Sequence, residues 1–276
     1  MTLNAFRCGL LAATATIFAV PAVAQDWTGP YVGGHAGYSR LSDKNSERLN
    51  FDTNLDGNYN DTVNTSAGAN AFSPGFCDGA PNGNSAASAC RDDDGGADVG
   101  LRLGYDWQSG NFVYGVVGEI AKLDLTDNVT GFSTTPAAYT FTRKTGTVTA
   151  LRGRAGYAMN DYLLYGTAGF AWADLDRSFT TTNTANSFTP RGGDNAKGYQ
   201  IGFGTEKKVM ENWTLGAEYL YTSLDDDDYT VRVGPGTAPA TNPFLIANAQ
   251  GTDMKRSEDK LKAHSLRFTV TYRFGM

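Results

Sequence analysis

The chain has 276 residues, a formal net charge of −6 and a mean hydropathy of −0.35. The acidic balance argues against a nucleic-acid partner, and a hydrophobic content of 41% is low for a large soluble core. The 33 glycines, 14 tyrosines and 15 phenylalanines suit β structure in which only every second residue meets an apolar phase.

In chain order, residues 1–24 read first as a cleaved signal peptide. Arg7 is their only charge, Gly9 to Val20 is apolar, and Ala22-Val23-Ala24 offers a small-x-small cleavage site before Gln25. The apolar stretch falls short of the roughly 20 residues that span a bilayer, so an N-terminal anchor helix is the weaker alternative. Phe6-Arg7 before Cys8 does not fit a lipoprotein signal. Residues 25–276 then form one domain, and no other stretch approaches the length of a membrane-spanning helix.

Eight strands are predicted in that domain. They are Tyr31–Leu41, Ala97–Trp107, Asn111–Leu123, Thr147–Ala158, Tyr162–Ala173, Lys197–Lys208, Trp213–Ser223 and His264–Phe274. Three short turns join them in pairs: Gln108-Ser109-Gly110, Met159-Asn160-Asp161 and Met210-Glu211-Asn212. Long polar tracts separate the pairs, near 42–96, 124–146, 174–196 and 224–262. Short turns at one end and long loops at the other are the asymmetry of an outer-membrane barrel. The first and fourth tracts are expected to be mobile.

Period-two alternation is the stronger signal. In the second strand Val99, Leu101, Leu103, Tyr105 and Trp107 alternate with Asp98, Gly100, Arg102, Gly104 and Asp106. In the last, Leu266, Phe268, Val270, Tyr272 and Phe274 alternate with Ser265, Arg267, Thr269, Thr271 and Arg273. A soluble sandwich also alternates. Two features favour a barrel in lipid. The polar faces carry glycine with charges of both signs, which suits a narrow interior. Aromatics gather beside the short turns (Trp107, Phe112, Tyr157, Tyr162, Trp213, Tyr272 and Phe274), where a bilayer interface holds amphipathic rings. Tyr38, Trp172, Tyr199 and Tyr221 lie toward the loop ends. Lipid leaves no backbone group unpaired, so such a chain must close on itself. The expected fold is all-β: a transmembrane, antiparallel, up-and-down β-barrel of eight strands.

Asp98, Arg102, Asp106, Glu119, Arg152, Arg154, Glu206, Glu218 and Arg267 are then expected to point into the lumen. An eight-stranded barrel is just wide enough for its own side chains, and buried charges must be paired. Acids and guanidiniums balance roughly one to one, so an internal salt-bridge network is predicted. A polar plug is favoured over a selectivity filter. Cys77 and Cys90, both in the first loop, are expected to form a disulfide in an oxidising compartment. No metal site is expected from them, since neither belongs to a CxxC unit and no histidine is near. The acidic runs Asp92–Asp94 and Asp225–Asp228 read as solvated loop edges, with divalent-cation docking the weaker reading. His35 lies on the inward face among glycines, and His264 precedes Ser265 on the opposite face. Adjacent strand residues make no nucleophile–base pair, and no G-x-S-x-G elbow is present. No enzyme and no cofactor are expected.

Five segments carry a resemblance. They are Trp27-Thr28-Gly29-Pro30-Tyr31-Val32-Gly33-Gly34, Leu151-Arg152-Gly153-Arg154-Ala155-Gly156-Tyr157, Gly202-Phe203-Gly204-Thr205-Glu206, Gly216-Ala217-Glu218-Tyr219 and the closing aromatic strand. Together they resemble the outer-membrane β-barrel domain family of alphaproteobacterial surface antigens and "porin family" proteins, related in architecture to OmpA/OmpX-type small barrels. The resemblance covers the mature chain outside the long loops. It departs at the terminus, where Phe274 is followed by Gly275-Met276 rather than ending the chain.

What the resemblance implies is an integral protein of the cell outer membrane that supports envelope integrity and carries adhesive or antigenic loops. Its implied partners are outer-membrane lipids and lipopolysaccharide, the barrel-assembly machinery during insertion, and host or surface ligands at the loops. Two alternatives stay open: a narrow passive porin for small solutes, and a surface protein binding haem or another small ligand.

Overall fold

Alternating apolar and polar residues can satisfy both lipid and a polar interior only if the sheet has no open edge. Eight long strands meet that condition in the computed structural model. The described residues are 26–42, 47–93, 95–226 and 229–275. The signal-peptide reading of residues 1–24 lies outside them, as do Asp94, Asp227 and Asp228 of the acidic runs.

The long strands are β1 (Gly29–Leu41), β6 (Gly96–Ser109), β7 (Phe112–Leu123), β9 (Ala137–Met159), β10 (Tyr162–Thr181), β12 (Asn195–Met210), β13 (Trp213–Asp225) and β16 (Lys260–Arg273). Each pairs antiparallel with the next in that order, and β16 zips back onto β1 from Tyr31↔Arg273 to Leu41↔Ala263. The barrel is closed.

The short turns are tighter than the predicted three residues. Gly110-Asn111, Asn160-Asp161 and Glu211-Asn212 each link a hairpin with two. Gly110 (φ 60°) and Asn160 (φ 51°) take the left-handed conformation that such hairpins need. The last strand ends at Arg273 rather than Phe274, although the Phe274 N–H still donates to Pro30 O at 3.0 Å.

The long tracts depart most from expectation. They are not irregular excursions from the barrel. β9 starts ten residues before the predicted Thr147, and β10 runs eight residues past Ala173. The tracts add eight shorter strands: β2 (Leu49–Asp52), β3 (Gly75–Asp78), β4 (Ala80–Pro81), β5 (Cys90–Arg91), β8 (Thr126–Ser133), β11 (Ser187–Arg191), β14 (Thr230–Gly234) and β15 (Thr252–Arg256). β3 and β8 extend the wall on β9, and β11-β14-β15-β2 form a second sheet drawn from the first, third and fourth tracts.

These strands enclose a core of their own. Leu49, Phe51, Phe72, Tyr139, Phe141 and Phe244 are all buried, with Val129, Val231, Val233 and Met254 between them. The Phe72 ring meets Phe51 at 4.6 Å and Tyr139 at 5.2 Å between centroids. Over the described residues of the first and fourth tracts, a packed cap therefore replaces the expected mobile loops. The cause is burial of aromatic area that no barrel strand could cover.

The outer wall is the reverse of a soluble surface. Leu101, Leu103, Phe170, Phe203 and Phe268 are each 64–68% exposed, all on outward positions of barrel strands. Girdle aromatics bound this band. On β10, Tyr162 and Trp172 stand ten residues apart, about 33 Å along a strand and about 25 Å in height at a typical tilt, which matches a bilayer's apolar band.

Candidate functional site: a filled lumen beneath a folded cap

All nine residues assigned to the lumen by alternation are buried inside the barrel. They form two clusters stacked along the axis.

Nearer the turns, Arg154 and Arg273 face Asp106 and Glu206 in a four-membered ring. Arg154 Nη1 donates to Glu206 Oε1 at 2.6 Å, and its Nε donates to Asp106 Oδ1 at 2.8 Å. Arg273 Nη1 donates to Asp106 Oδ2 at 2.8 Å and Nη2 to Glu206 Oε2 at 2.9 Å. Aromatic rings sandwich both cations. Arg154 lies 4.8 Å from the Tyr31 ring centroid and 4.9 Å from that of Tyr165; Arg273 lies 4.7 Å from Trp27 and 4.8 Å from Tyr31. Glycine makes room for the tyrosines, since a Cβ on Gly104 or Gly204 would run into the Tyr31 or Tyr165 ring.

The second cluster centres on Glu119. Its carboxylate accepts from Arg267 Nη1 (2.6 Å), Arg152 Nη2 (2.9 Å) and Arg102 Nη2 (3.1 Å). Arg102 Nη2 also reaches Glu218 Oε1 at 3.0 Å, and Arg267 Nε donates to Asp98 Oδ2 at 2.6 Å. Gln200 accepts from Arg152 at 3.0 Å and passes the chain on to Thr222.

Alternation also put Arg273 on the inward face, but the predicted network omitted it. Its parity with Arg267 was the available signal, and with it the five carboxylates meet five guanidiniums.

His35 completes the second cluster, with Nε2 3.0 Å from Asp98 Oδ1. Ser39 Oγ donates to the other Asp98 oxygen at 3.0 Å. The acid thus lies between the serine and the histidine, an order that activates no nucleophile, and both groups are shut inside the wall. His264 faces outward, where its Nδ1 lies 2.6 Å from the Tyr219 hydroxyl.

An apolar belt follows toward the loop end, unforeseen from the sequence. Leu123, Val148, Ala171, Leu175, Leu224 and Leu261 occupy inward positions and pack across the lumen. They continue the register of the charged residues, so the same alternation contained the signal.

Above the belt a third ionic layer ties the tracts together. Arg143 Nη1 donates to Asp226 Oδ2 at 2.8 Å and its Nε to Asp127 at 2.8 Å. Arg256 takes both oxygens of Glu47 (2.7 and 2.6 Å) and also bonds Asp127. Burial works against charge on Asp127, but Arg256 and Arg143 outweigh it and hold its carboxyl below the usual range.

Asp78 stands beside this group without such support. Burial, with Glu47, Asp127 and Asp93 nearby, pushes its pKa up to about 7. Burial lifts Asp93 to about 6, against the hydrogen bonds from Asn128. Oxygens of Glu47, Asp78 and Asp127 lie within 4.8 Å of one another. Two of those three carboxylates are already neutralised by arginine.

The acidic runs are not uniformly solvated edges. Asp226 is buried between Arg143 and Arg177, and Asp225 pairs with Lys260 at 3.3 Å. Each has arginine or lysine opposite it across the tract.

Cys77 and Cys90 are joined as a disulfide, with Cα atoms 6.2 Å apart, closing the β4–β5 hairpin in the cap. Of the turn-end aromatics, Trp107 stacks on Tyr114, Phe112 meets Tyr157 edge-on at 5.4 Å, and Trp213 meets Tyr272 at 5.2 Å. Tyr162 carries Lys207 over its ring, and Phe274 packs on Tyr272.

The family described as "Outer membrane protein beta-barrel domain" matches residues 10–274. A 22 kDa outer membrane protein of Rhizobium leguminosarum bv. viciae is 35% identical over 131 residues, which is 48% of this chain and 54% of that protein, so the match spans about half of that relative. The 31 kDa outer-membrane immunogenic protein of Brucella melitensis biotype 1 is 27% identical over 96% of this chain and 98% of its own length. The solved structure of the outer membrane protein OprG from Pseudomonas aeruginosa aligns over 89% of this chain and 97% of its own, at 12% identity and a TM-score of 0.45.

Proposed function

The chain belongs to the outer membrane protein beta-barrel domain family and is an integral protein of the outer membrane, and from that premise we propose that it is a structural, non-conducting barrel that displays a folded antigenic or adhesive cap at the cell surface. The observation that carries this reading is the continuous filling of the lumen. Ten charges paired in two clusters and then an apolar belt follow one another along the axis, below a third ionic layer that borders a cavity of about 530 Å³ at the loop end. A passive pore needs a water path, and the charged clusters and the apolar belt lie across it. The porin alternative therefore has less support.

The haem alternative also has less support, since neither histidine is offered to a ligand in the cap. His35 is inside the lumen and His264 is bonded to Tyr219 on the outer wall. A catalytic role has no assembled nucleophile and base among the described residues.

A packed cap is the part presented to the outside, and the Brucella relative's name records that such a protein is immunogenic. Signal-peptide export of residues 1–24, contact with lipopolysaccharide and insertion by the barrel-assembly machinery are part of the same proposal. The test is a deletion strain complemented by the full chain or by a chain lacking the cap segment 50–92. The expected result is detergent sensitivity on deletion, rescue of the envelope by both chains, and loss of antibody or host-surface binding with the shortened one. An envelope and surface unchanged by deletion would contradict it.

A further inference from the structure

The cap holds a partly open cavity of about 130 Å³ between the loop-side ends of β9 and β10 and strand β15. Four cationic side chains line it, Arg143, Arg177, Arg256 and Lys255, against two carboxylates, Asp226 and Asp259. Asp226 is fully engaged: one oxygen accepts from Arg177 Nε at 2.6 Å and the other from Arg143 Nη1 at 2.8 Å.

Arg177 is the unusual member. Its side chain is 2% exposed, yet its Nη1 is buried with no hydrogen-bond partner. Buried donors are almost always satisfied, and an unpaired donor on a charged group is the costliest kind to leave. A ligand that accepts hydrogen bonds and carries negative charge would relieve it.

We infer that this cavity is a binding site for one small oxyanion of the phosphate class, with Arg177 Nη1 as its principal donor and Lys255 as the second cation, while Arg143 and Arg256 line it from within salt bridges to Asp127, Asp226 and Glu47. Guanidinium forks match the edge of such an ion. Tyr229, also in the lining, adds a hydroxyl, and burial pushes its pKa up from the ordinary tyrosine value. Glu47 and Asp127, just outside the lining, keep Arg256 charged despite its burial. The site is independent of the structural role proposed above, because it depends only on the cap.

The test is calorimetric titration of the folded full-length mature chain in detergent micelles and phosphate-free buffer. Inorganic phosphate is the first probe, glucosamine 1-phosphate the second, and acetate the control. The expected result is saturable one-to-one binding of inorganic phosphate, weakened at least tenfold in Arg177→Gln and only partly in Arg177→Lys. Binding of both phosphates would assign the site to phosphate monoesters as found on lipid headgroups; binding of the inorganic ion alone would assign it to the free anion.

Retained heat-modifiable gel migration establishes that each variant is folded. Should Arg177→Gln lose it, Lys255→Gln serves instead, with an expected loss of several-fold. Absence of saturable phosphate binding, equal binding of acetate, or a folded Arg177→Gln variant that titrates like the unaltered chain would overturn the inference.

Discussion

The Tyr165 hydroxyl lies 2.9 Å from Glu218 Oε2 while its ring covers Arg154, so one side chain on β10 joins the two ionic clusters of the lumen. Neither cluster touches the other through a charged pair among the described residues. Tyr165→Phe keeps the ring and deletes the link. A hydrogen bond to a charged acceptor contributes about 1.5–3 kcal/mol. Urea unfolding of the micellar protein should show a loss in that range, with tryptophan fluorescence as the probe. An unchanged midpoint would mean the clusters do not depend on each other.

Glu119 should be the least replaceable charge of the lumen. Three arginines converge on its carboxylate, and Glu119→Gln leaves them to repel one another in a buried site. Removing one partner of a buried ion pair costs about 3–5 kcal/mol. The expected outcome is a lower temperature for the heat-dependent gel shift. The outward Leu101→Ala variant, facing lipid, should shift it far less.

The cap should be tightest in mild acid. Unfolded aspartate titrates near 3.8, whereas Asp78 in the cap titrates near 7 and Asp93 near 6. Because both folded values are raised, their contribution to stability is fully present below about pH 4 and is lost as pH rises through 6 to 7. Hydrogen exchange over residues 75–93 should accelerate between pH 5 and pH 8 after correction for intrinsic rates. Asp78→Asn should remove most of that dependence while leaving the barrel strands unchanged.

Reducing the Cys77–Cys90 disulfide should act locally. A closed loop of this length contributes about 3 kcal/mol in the chain-entropy view, and here it constrains a hairpin of the cap. Protease should cut near residues 79–89 after reduction, while the barrel keeps its folded gel migration. Loss of that migration would show that the cap and barrel unfold together.

Legibility in the sequence followed physical regularity. Strict alternation specified the barrel wall and the inward face, because lipid on one side and a crowded polar interior on the other leave no freedom of register. The places of the short turns and the disulfide pair are equally local signals, although each turn is one residue tighter than the sequence predicts. Arg273 shares the parity of Arg267, and that alternation alone suffices to add it to the network. Leu123, Val148 and Leu261 were missed because inward positions were expected to be polar throughout. The cap was misread as loose loops for a different reason. Phe51, Phe72, Phe141 and Phe244 lie far apart in the chain, and no local period announces that they meet. Their convergence is a tertiary fact, created only once β9 and β10 extend beyond the membrane.

Planar-bilayer recording of the purified, heat-modifiable protein tests the filled lumen most directly. The lumen described here predicts a flat baseline at applied voltages of either sign, with no reproducible steps in concentrated salt. Discrete, repeatable conductance steps from the unaltered chain would contradict it.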